Sequence, residues 1–482
     1  MLLNTPSYLL FLCLVAVIYW LLPSRRWPRS RPLLLLVASY IFYATFDVRF
    51  VILLSSLTIV VYGLARAIPI SPHARFYAAV SVCLSLGVLG IFKYNEFFLE
   101  NLNAILQAAG TRQLPSGLRL LLPAGISFYM FQAISYTMEV YRGTLQPVSN
   151  LSDFALYMAF FPKLLAGPIM SPSKFLPQIN QAHLNFQSDR VWYALRLITQ
   201  GLVKKVVIAD SLASLSQIAF RAADLPPGQW PFPTPLYWQG FYLYAIQIYA
   251  DFSGYTDIAR GSATLFGFTL PENFEWPYFA STIGEFWNRW HISLTGWFRE
   301  YLFFPLSRKL ISLTDRRYLI ADQIIANLVT MTLIGLWHRA GWTFIAWGFW
   351  HGVLLSIERI SRYRATRRWQ KILGGVVTFH LVSLGWVLFN ASSFTAAWRF
   401  LRGLVAMEQM HWLPFVAPAV LLAGGMTLGI DLMARAWLDS THKPRWNWRL
   451  LLWAASWTVI LSLLTLRLVK GSNTLPFIYG QF

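Results

Sequence analysis

Two histidines lie inside otherwise apolar sequence and close to glycines. His338 is in Leu333-Ile334-Gly335-Leu336-Trp337-His338-Arg339-Ala340-Gly341, and His351 is in Trp347-Gly348-Phe349-Trp350-His351-Gly352. A neutral imidazole can act as a general base because it titrates near operating pH. The spacing between the two matches no familiar zinc pattern, and HExxH is absent, which argues against a metal. Set between tryptophan and glycine, His351 suits tight packing.

A third histidine, His291, sits in Gly284-Glu285-Phe286-Trp287-Asn288-Arg289-Trp290-His291-Ile292-Ser293, continuing to Trp297 and Glu300. Broad aromatic surface alternates there with charge, which predicts an amphipathic helix roofing a pocket at a membrane interface. A satisfied interfacial histidine is the alternative to a catalyst. The run Tyr249-Ala250-Asp251-Phe252-Ser253-Gly254-Tyr255-Thr256-Asp257-Ile258-Ala259-Arg260 brings two carboxylates and an arginine to the end of an aromatic helix. Ionisable groups inside a membrane are costly and are functional candidates by default. Asp251 could line a cavity that positions substrate, whereas Asp257 and Arg260 read as a cluster that fixes helix packing. Walker A, GxGxxG, CxxC and GxSxG signatures are all missing.

The elements that must position these residues are set by composition. The 482 residues are 56% hydrophobic, 17% aromatic and only 12% charged, about half the charge of a soluble domain. Apolar segments near 7–22, 32–46, 50–67, 76–92, 120–141, 154–170, 190–215, 236–258, 320–337, 342–358, 372–390, 412–430 and 448–468 predict membrane helices, each near the roughly 20 residues a span requires. The first run lacks a basic leader and a cleavage site, so it reads as a retained helix rather than a signal peptide. Cys13 and Cys83, the only cysteines, fall inside such runs and form no disulfide framework.

The net charge of +20 is concentrated in short blocks between segments. They are Arg25 to Arg31, Arg308 to Arg317, Arg359 to Lys371 and Arg435 to Arg449. Cytoplasmic loops carry such an excess, which accounts for the charge without nucleic acid and predicts an extracytoplasmic N-terminus. Segments near 120–170 and 236–300 mix apolar residues with Gly, Pro, Ser, Asp and Asn. As broken helices they cannot face lipid, because freed backbone groups would lack partners. The expectation is an all-α, polytopic transmembrane bundle, one integral membrane domain over 1–482, with re-entrant or broken helices around a polar centre.

The stretches PAGISFYMFQAISYTMEVYRG, FFPKLLAGPI, ADFSGYTDIARG, FWNRWHISLTGWFREYLFFPL and GLWHRAGWTFIAWGFWHG together resemble the membrane-bound O-acyltransferase family, in particular its bacterial alginate O-acetylation branch. The resemblance is strongest over 90–360, with Pro476-Phe477-Ile478-Tyr479 as a weaker match and 361–482 as additional C-terminal membrane helices. It implies a central tunnel through the helical core. It implies that His338 is the general base for an acceptor hydroxyl and that His291 helps orient substrate. Asp251, Ser253, Trp287, Asn288 and Trp337 are the candidate substrate-binding residues. Arg339 departs from the family pattern, which has glycine after the motif histidine; the pocket's width or charge could differ there.

By resemblance, an acetyl group passes from a cytoplasmic donor, acetyl-CoA or an acyl carrier, through the bacterial inner membrane to an exopolysaccharide or cell-wall polymer. No cofactor is bound. An extracytoplasmic serine-esterase-like protein completes the transfer. D-alanyl transfer to teichoic acid is the alternative within the family. Outside it stand a transporter or flippase, although no paired halves with matching broken segments are visible, and a non-catalytic scaffold of a polymer-export complex.

Overall fold

The computed structural model describes residues 1–23, 26–115, 120–179, 185–225 and 233–408, together with 410, 418, 420–422, 424–429 and 432. The expected segment at 448–468, the basic block from Arg435 and the Pro-Phe-Ile-Tyr ending lie outside them. The described residues are helical, and their one β feature is an isolated antiparallel bridge between Phe274 and Trp290.

The helices are α1 (Pro6–Leu21), α2 (Ser30–Ala44), α3 (Val48–Ala67), α4 (Ala74–Leu89), α5 (Asn95–Ala108), α6 (Ile126–Tyr141), α7 (Leu151–Ala159), α8 (Phe161–Leu164), α9 (Pro172–Ile179), α10 (Ser188–Leu202), α11 (Asp210–Asp224) and α12 (Thr234–Leu265). They continue with α13 (Ile283–Arg289), α14 (Ile292–Phe298), α15 (Phe304–Leu313), α16 (Leu319–His338), α17 (Trp342–Ser361), α18 (Arg368–Asn390) and α19 (Phe394–Val405). π-helical turns at Gly90–Tyr94 and Val203–Ala209 join α4 to α5 and α10 to α11. The helix expected to end near residue 92 therefore runs on to Ala108. Among the described residues, five helical stretches are long and apolar enough to cross a membrane: Val48–Ala67, Ala74–Ala108, Ser188–Asp224, Leu319–His338 and Arg368–Asn390.

Helical period decides which apolar residues pack and which meet lipid. On α1, Tyr8, Leu12, Val15 and Tyr19 are buried, while Leu10, Leu14, Val17 and Leu21 are exposed. In water the second face would be an anomalous apolar patch; in a bilayer it is the solvated face. The chain is a multi-pass membrane protein.

The chain packs as two compact units. One comprises Ser7–Leu195 and Ala259–Glu272, with Met1. Its core is aromatic: Tyr8, Phe11, Phe42 and Phe161 meet edge-on or tilted, and the Tyr8 hydroxyl donates to Ser262 Oγ at 2.9 Å. Within the mixed segment near 120–170, expected to be broken or re-entrant, the helix is interrupted at Phe160. Phe160 leaves the helical region (φ −49°, ψ 106°) and Pro162 opens α8. The break leaves carbonyls at the end of α7 without helical partners. Buried Lys163 meets one of them: its Nζ donates to Tyr157 O at 2.7 Å and to Gln132 Oε1 at 2.6 Å. Opposite it, Gly125 has φ +75°, and a Cβ there would collide with the backbone of Leu164 and Leu165.

The other unit comprises Leu2–Pro6, Arg196–Ile258 and Asn273–Phe482. Gly201 and Gly254 let the α10–α11 rod and α12 touch backbone to backbone. That approach brings Lys204 to Asp257 at 3.0 Å, and Lys205 to both Asp251 at 2.6 Å and Asp210 at 2.9 Å. All of these side chains are buried or nearly so. Asp257, expected to form a packing cluster with Arg260, has Lys204 as a partner. Arg260 reaches Glu272 at 2.7 Å within the first unit.

Candidate functional site

His291 is placed by a loop rather than by a helix face. The amphipathic helix expected over 284–300 is broken: α13 stops at Arg289, Trp290 is extended, and His291 takes the left-handed conformation (φ 44°, ψ 52°) before α14 begins. The cause is pairing with a preceding segment. Glu275 N donates to Arg289 O at 2.9 Å, Ile292 N to Asn273 O at 3.0 Å, and Ser293 N to Asn273 Oδ1 at 3.0 Å. These bonds compensate a backbone geometry that costs a non-glycine residue about 1–3 kcal/mol. The same break turns Phe286, Trp287, Trp290 and His291 inward, all of them buried, so the segment forms part of the core instead of an interfacial roof.

The α13 end of this segment is anchored at several points. Thr282 caps α13 through Glu285 N at 3.2 Å, and Gly284 N donates to Glu358 Oε2 on α17 at 2.9 Å. Glu285 receives Ser281 N and Oγ and pairs with Arg289. The carboxylate at a helix N-terminus is also favoured by the helix dipole.

His338 is the last residue of α16. Its position depends on the tight α16–α17 hairpin: a Cβ on Gly335 would strike Phe344 O, and one on Gly348 would strike the backbone at Met331. Small residues permit such approach between membrane helices. Although it ends the hairpin, His338 is only 2% exposed. The rings of Trp347 at 5.1 Å and Phe389 at 5.4 Å stand edge-on to it and cover it. Arg339 next to it is exposed, with extended backbone (φ −152°) and its guanidinium 6.0 Å from the Phe344 ring centroid. The extended backbone at this position asks for no glycine.

Both predicted catalytic histidines lie against Trp337, whose ring centroid is 6.4 Å from that of His291 and 4.7 Å from that of His338. His291 also meets Phe252 edge-on at 4.6 Å, so the helix carrying Asp251 and Ser253 forms one wall of its surroundings. Asp251 is held by Lys205, and Ser253 is buried with its hydroxyl unpaired among the described residues. Trp287 lies against Trp347 and His351, at 5.9 and 5.2 Å between centroids. Asn288 is not brought in. It is exposed and accepts from Arg299 at 2.7 Å, because it lies on the face of α13 opposite the buried aromatics.

Sequence reading missed Lys204, Lys205 and Asp210. The signal was present, since charges inside an apolar segment are themselves candidates. It also missed Trp386 and Phe389 of α18, which close over Trp347; nothing local in an apolar helix marks such residues. Trp386 Nε1 donates to Tyr278 Oη at 3.2 Å. Beyond Tyr278 lies an apolar crevice lined also by Tyr249, Trp276, Phe279, Phe379 and Leu428. Among the described residues its lining holds no titratable side chain other than the tyrosines, and neither His291 nor His338 is part of it. Among the described residues no group of His, Cys, Asp and Glu could hold a metal.

A histidine among aromatic rings, with a second histidine against the same tryptophan, can move a proton on a hydroxyl substrate away from bulk water when its imidazole is neutral.

The model of the membrane-bound O-acyltransferase (MBOAT) family matches residues 5–395. The protein named "Probable alginate O-acetylase AlgI" of Azotobacter vinelandii is 40% identical over 394 residues, covering 81% of this chain and 75% of the relative. Its namesake in Pseudomonas aeruginosa is 40% identical over 376 residues, 77% of this chain and 69% of the relative. The peptidoglycan O-acetyltransferase of Helicobacter pylori is 35% identical over 446 residues, 85% of this chain and 80% of the relative.

Proposed function

The chain belongs to the membrane-bound O-acyltransferase family and is an O-acyltransferase, and from that premise we propose that it moves acetyl groups from a cytoplasmic donor to an extracytoplasmic polysaccharide. The names of its relatives, alginate and peptidoglycan O-acetylating proteins, support an alginate-like or cell-wall polymer as the acceptor. The donor is acetyl-CoA or an acyl carrier charged from it. The chain sits in the bacterial inner membrane with its N-terminus outside, in keeping with the basic blocks between segments. A serine-esterase-like partner outside the membrane completes delivery to the polymer.

The observation that carries this reading is the arrival of His291 and His338 at the same tryptophan, from a strained loop and from a helix end. His338 takes the proton from the acceptor hydroxyl as its oxygen attacks the acyl carbonyl, then returns a proton to the leaving group. His291 orients the reactants. Proton transfer of this kind contributes about 10²- to 10⁴-fold. Holding donor and acceptor in register in a water-poor site supplies much of the remainder.

The test is polymer O-acetyl content in a deletion strain complemented with wild type or with His338→Ala, at matched membrane levels. Loss of acetylation with polymer export intact supports catalysis at His338. Normal acetylation sinks the mechanism and moves a transporter or a scaffold to the front.

A further inference from the structure

His351 is fully buried, as is Trp347, and Trp287 is 3% exposed. Their ring centroids form a small triangle: Trp287 to His351 5.2 Å, Trp347 to His351 5.1 Å, and Trp287 to Trp347 5.9 Å. None of the four ring nitrogens in this triangle has a hydrogen-bond partner among the described residues. Buried polar groups are paired in the great majority of cases, so each exception calls for an explanation. Four together, on three touching rings, point to one shared polar occupant. Packing alone does not explain the choice of residue. A phenylalanine would fill the place of His351 without leaving two buried nitrogens unsatisfied.

The inventory of these side chains defines what they bind. Each indole brings one N–H, and a neutral imidazole brings one N–H and one bare nitrogen. Three donors against one acceptor suit an oxygen that accepts hydrogen bonds and gains negative charge. The triangle lies beside the proposed base, since the Trp347 ring is also 5.1 Å from His338. Space on the α18 side is kept by Gly385, where a Cβ would stand 2.9 Å from His351 Nε2.

We propose that His351, with the indole N–H groups of Trp287 and Trp347, holds the carbonyl oxygen of the thioester donor as it becomes an oxyanion. This rests on the acyl-transfer reading above. The acceptor oxygen bonds to the carbonyl carbon while its proton passes to His338, and the carbonyl π pair moves onto the oxygen held in the triangle. On collapse that pair re-forms the C=O bond, the C–S bond breaks, and the leaving thiolate takes the proton from His338. Donors already aimed at a developing oxyanion act strongly in a site shielded from water.

The test uses membranes bearing the full chain, radiolabelled acetyl-CoA and the strain's own polymer, with kcat, donor KM and thermal stability measured together. His351→Phe keeps the shape and removes the polarity. It should lower kcat about 10²-fold, leave KM within about twofold and leave the melting temperature unchanged or raised. His351→Asn should recover part of kcat. Wild-type kcat in His351→Phe would overturn the proposal, leaving a trapped water as the occupant. A parallel fall in stability and kcat that His351→Asn does not relieve would also overturn it, in favour of packing. His338→Ala run alongside separates the two ideas: if that variant stays active the acyl-transfer reading itself fails, whatever His351 does.

Discussion

Gly201 and Gly254 cross with their backbones in contact: a Cβ on Gly254 would stand 2.8 Å from the carbonyl oxygen of Gly201. The charges are spaced around that crossing, Asp251 and Asp257 one turn to either side of Gly254, and Lys204 and Lys205 one turn after Gly201. Gly254→Ala should therefore act as overpacking, costing about 1–3 kcal/mol, and should loosen both ion pairs. Thermal unfolding of the purified protein in detergent measures it. An unchanged melting temperature would mean the two rods can separate freely.

The Lys204–Asp257 pair is buried, and its worth lies in being complete. Lys204→Met removes the ammonium held 3.0 Å from the Asp257 carboxylate, and breaking a buried pair from one side costs about 3–5 kcal/mol. Lys204→Met combined with Asp257→Leu removes both charges and should recover most of that loss, since apolar replacement of a buried pair is often neutral. The comparison of single and double variants by thermal unfolding checks this. A double variant as unstable as the single one would show that the charges do more than satisfy each other.

Lys163 ties the end of α7 to α6 through Tyr157 O and Gln132 Oε1, across the break at Phe160. Lys163→Met keeps most of the stem and removes both bonds. It leaves the Gln132 amide oxygen and a helix-end carbonyl without that donor, at about 1–3 kcal/mol for each buried group left unsatisfied. The melting temperature should fall and proteolysis near residue 160 should quicken. Equal protection in variant and wild type would show that the break is stabilised some other way.

Most of the helices were legible in the sequence because a bilayer forces long apolar runs, and the break at Phe160–Pro162 was legible from its proline and glycines. The break at His291 was not. Alternating tryptophan and charge over 284–300 reads as a single amphipathic face, and the chain is turned there by Asn273 and Glu275, partners that local periodicity does not reveal. The outward position of Asn288 was hidden for the same reason, since its neighbours in sequence are buried. The π-helical turn that carries Lys204 and Lys205 has no local signature, and their partners are visible only once α12 lies alongside. His338 and His291 were legible as candidates through family motifs. Their shared neighbour Trp337 was named as well, whereas the cover supplied by Phe389 needed the fold.

The left-handed backbone of His291 separates its conformational role from its chemical one. Asparagine tolerates this region better than other residues with side chains, apart from glycine. His291→Asn should therefore keep the turn between Trp290 and Ile292, with stability close to wild type. His291→Ala must hold the same backbone without that tolerance and also leaves space beside Phe252, so it should be less stable than His291→Asn by about 1–2 kcal/mol. Acetyl transfer by the two, measured at matched membrane levels, then reports on the ring. If the imidazole orients substrate, His291→Ala loses transfer by more than its lower stability explains, and His291→Asn, which still offers an amide for hydrogen bonding, keeps a larger share. Full transfer in His291→Ala would confine His291 to shaping the turn.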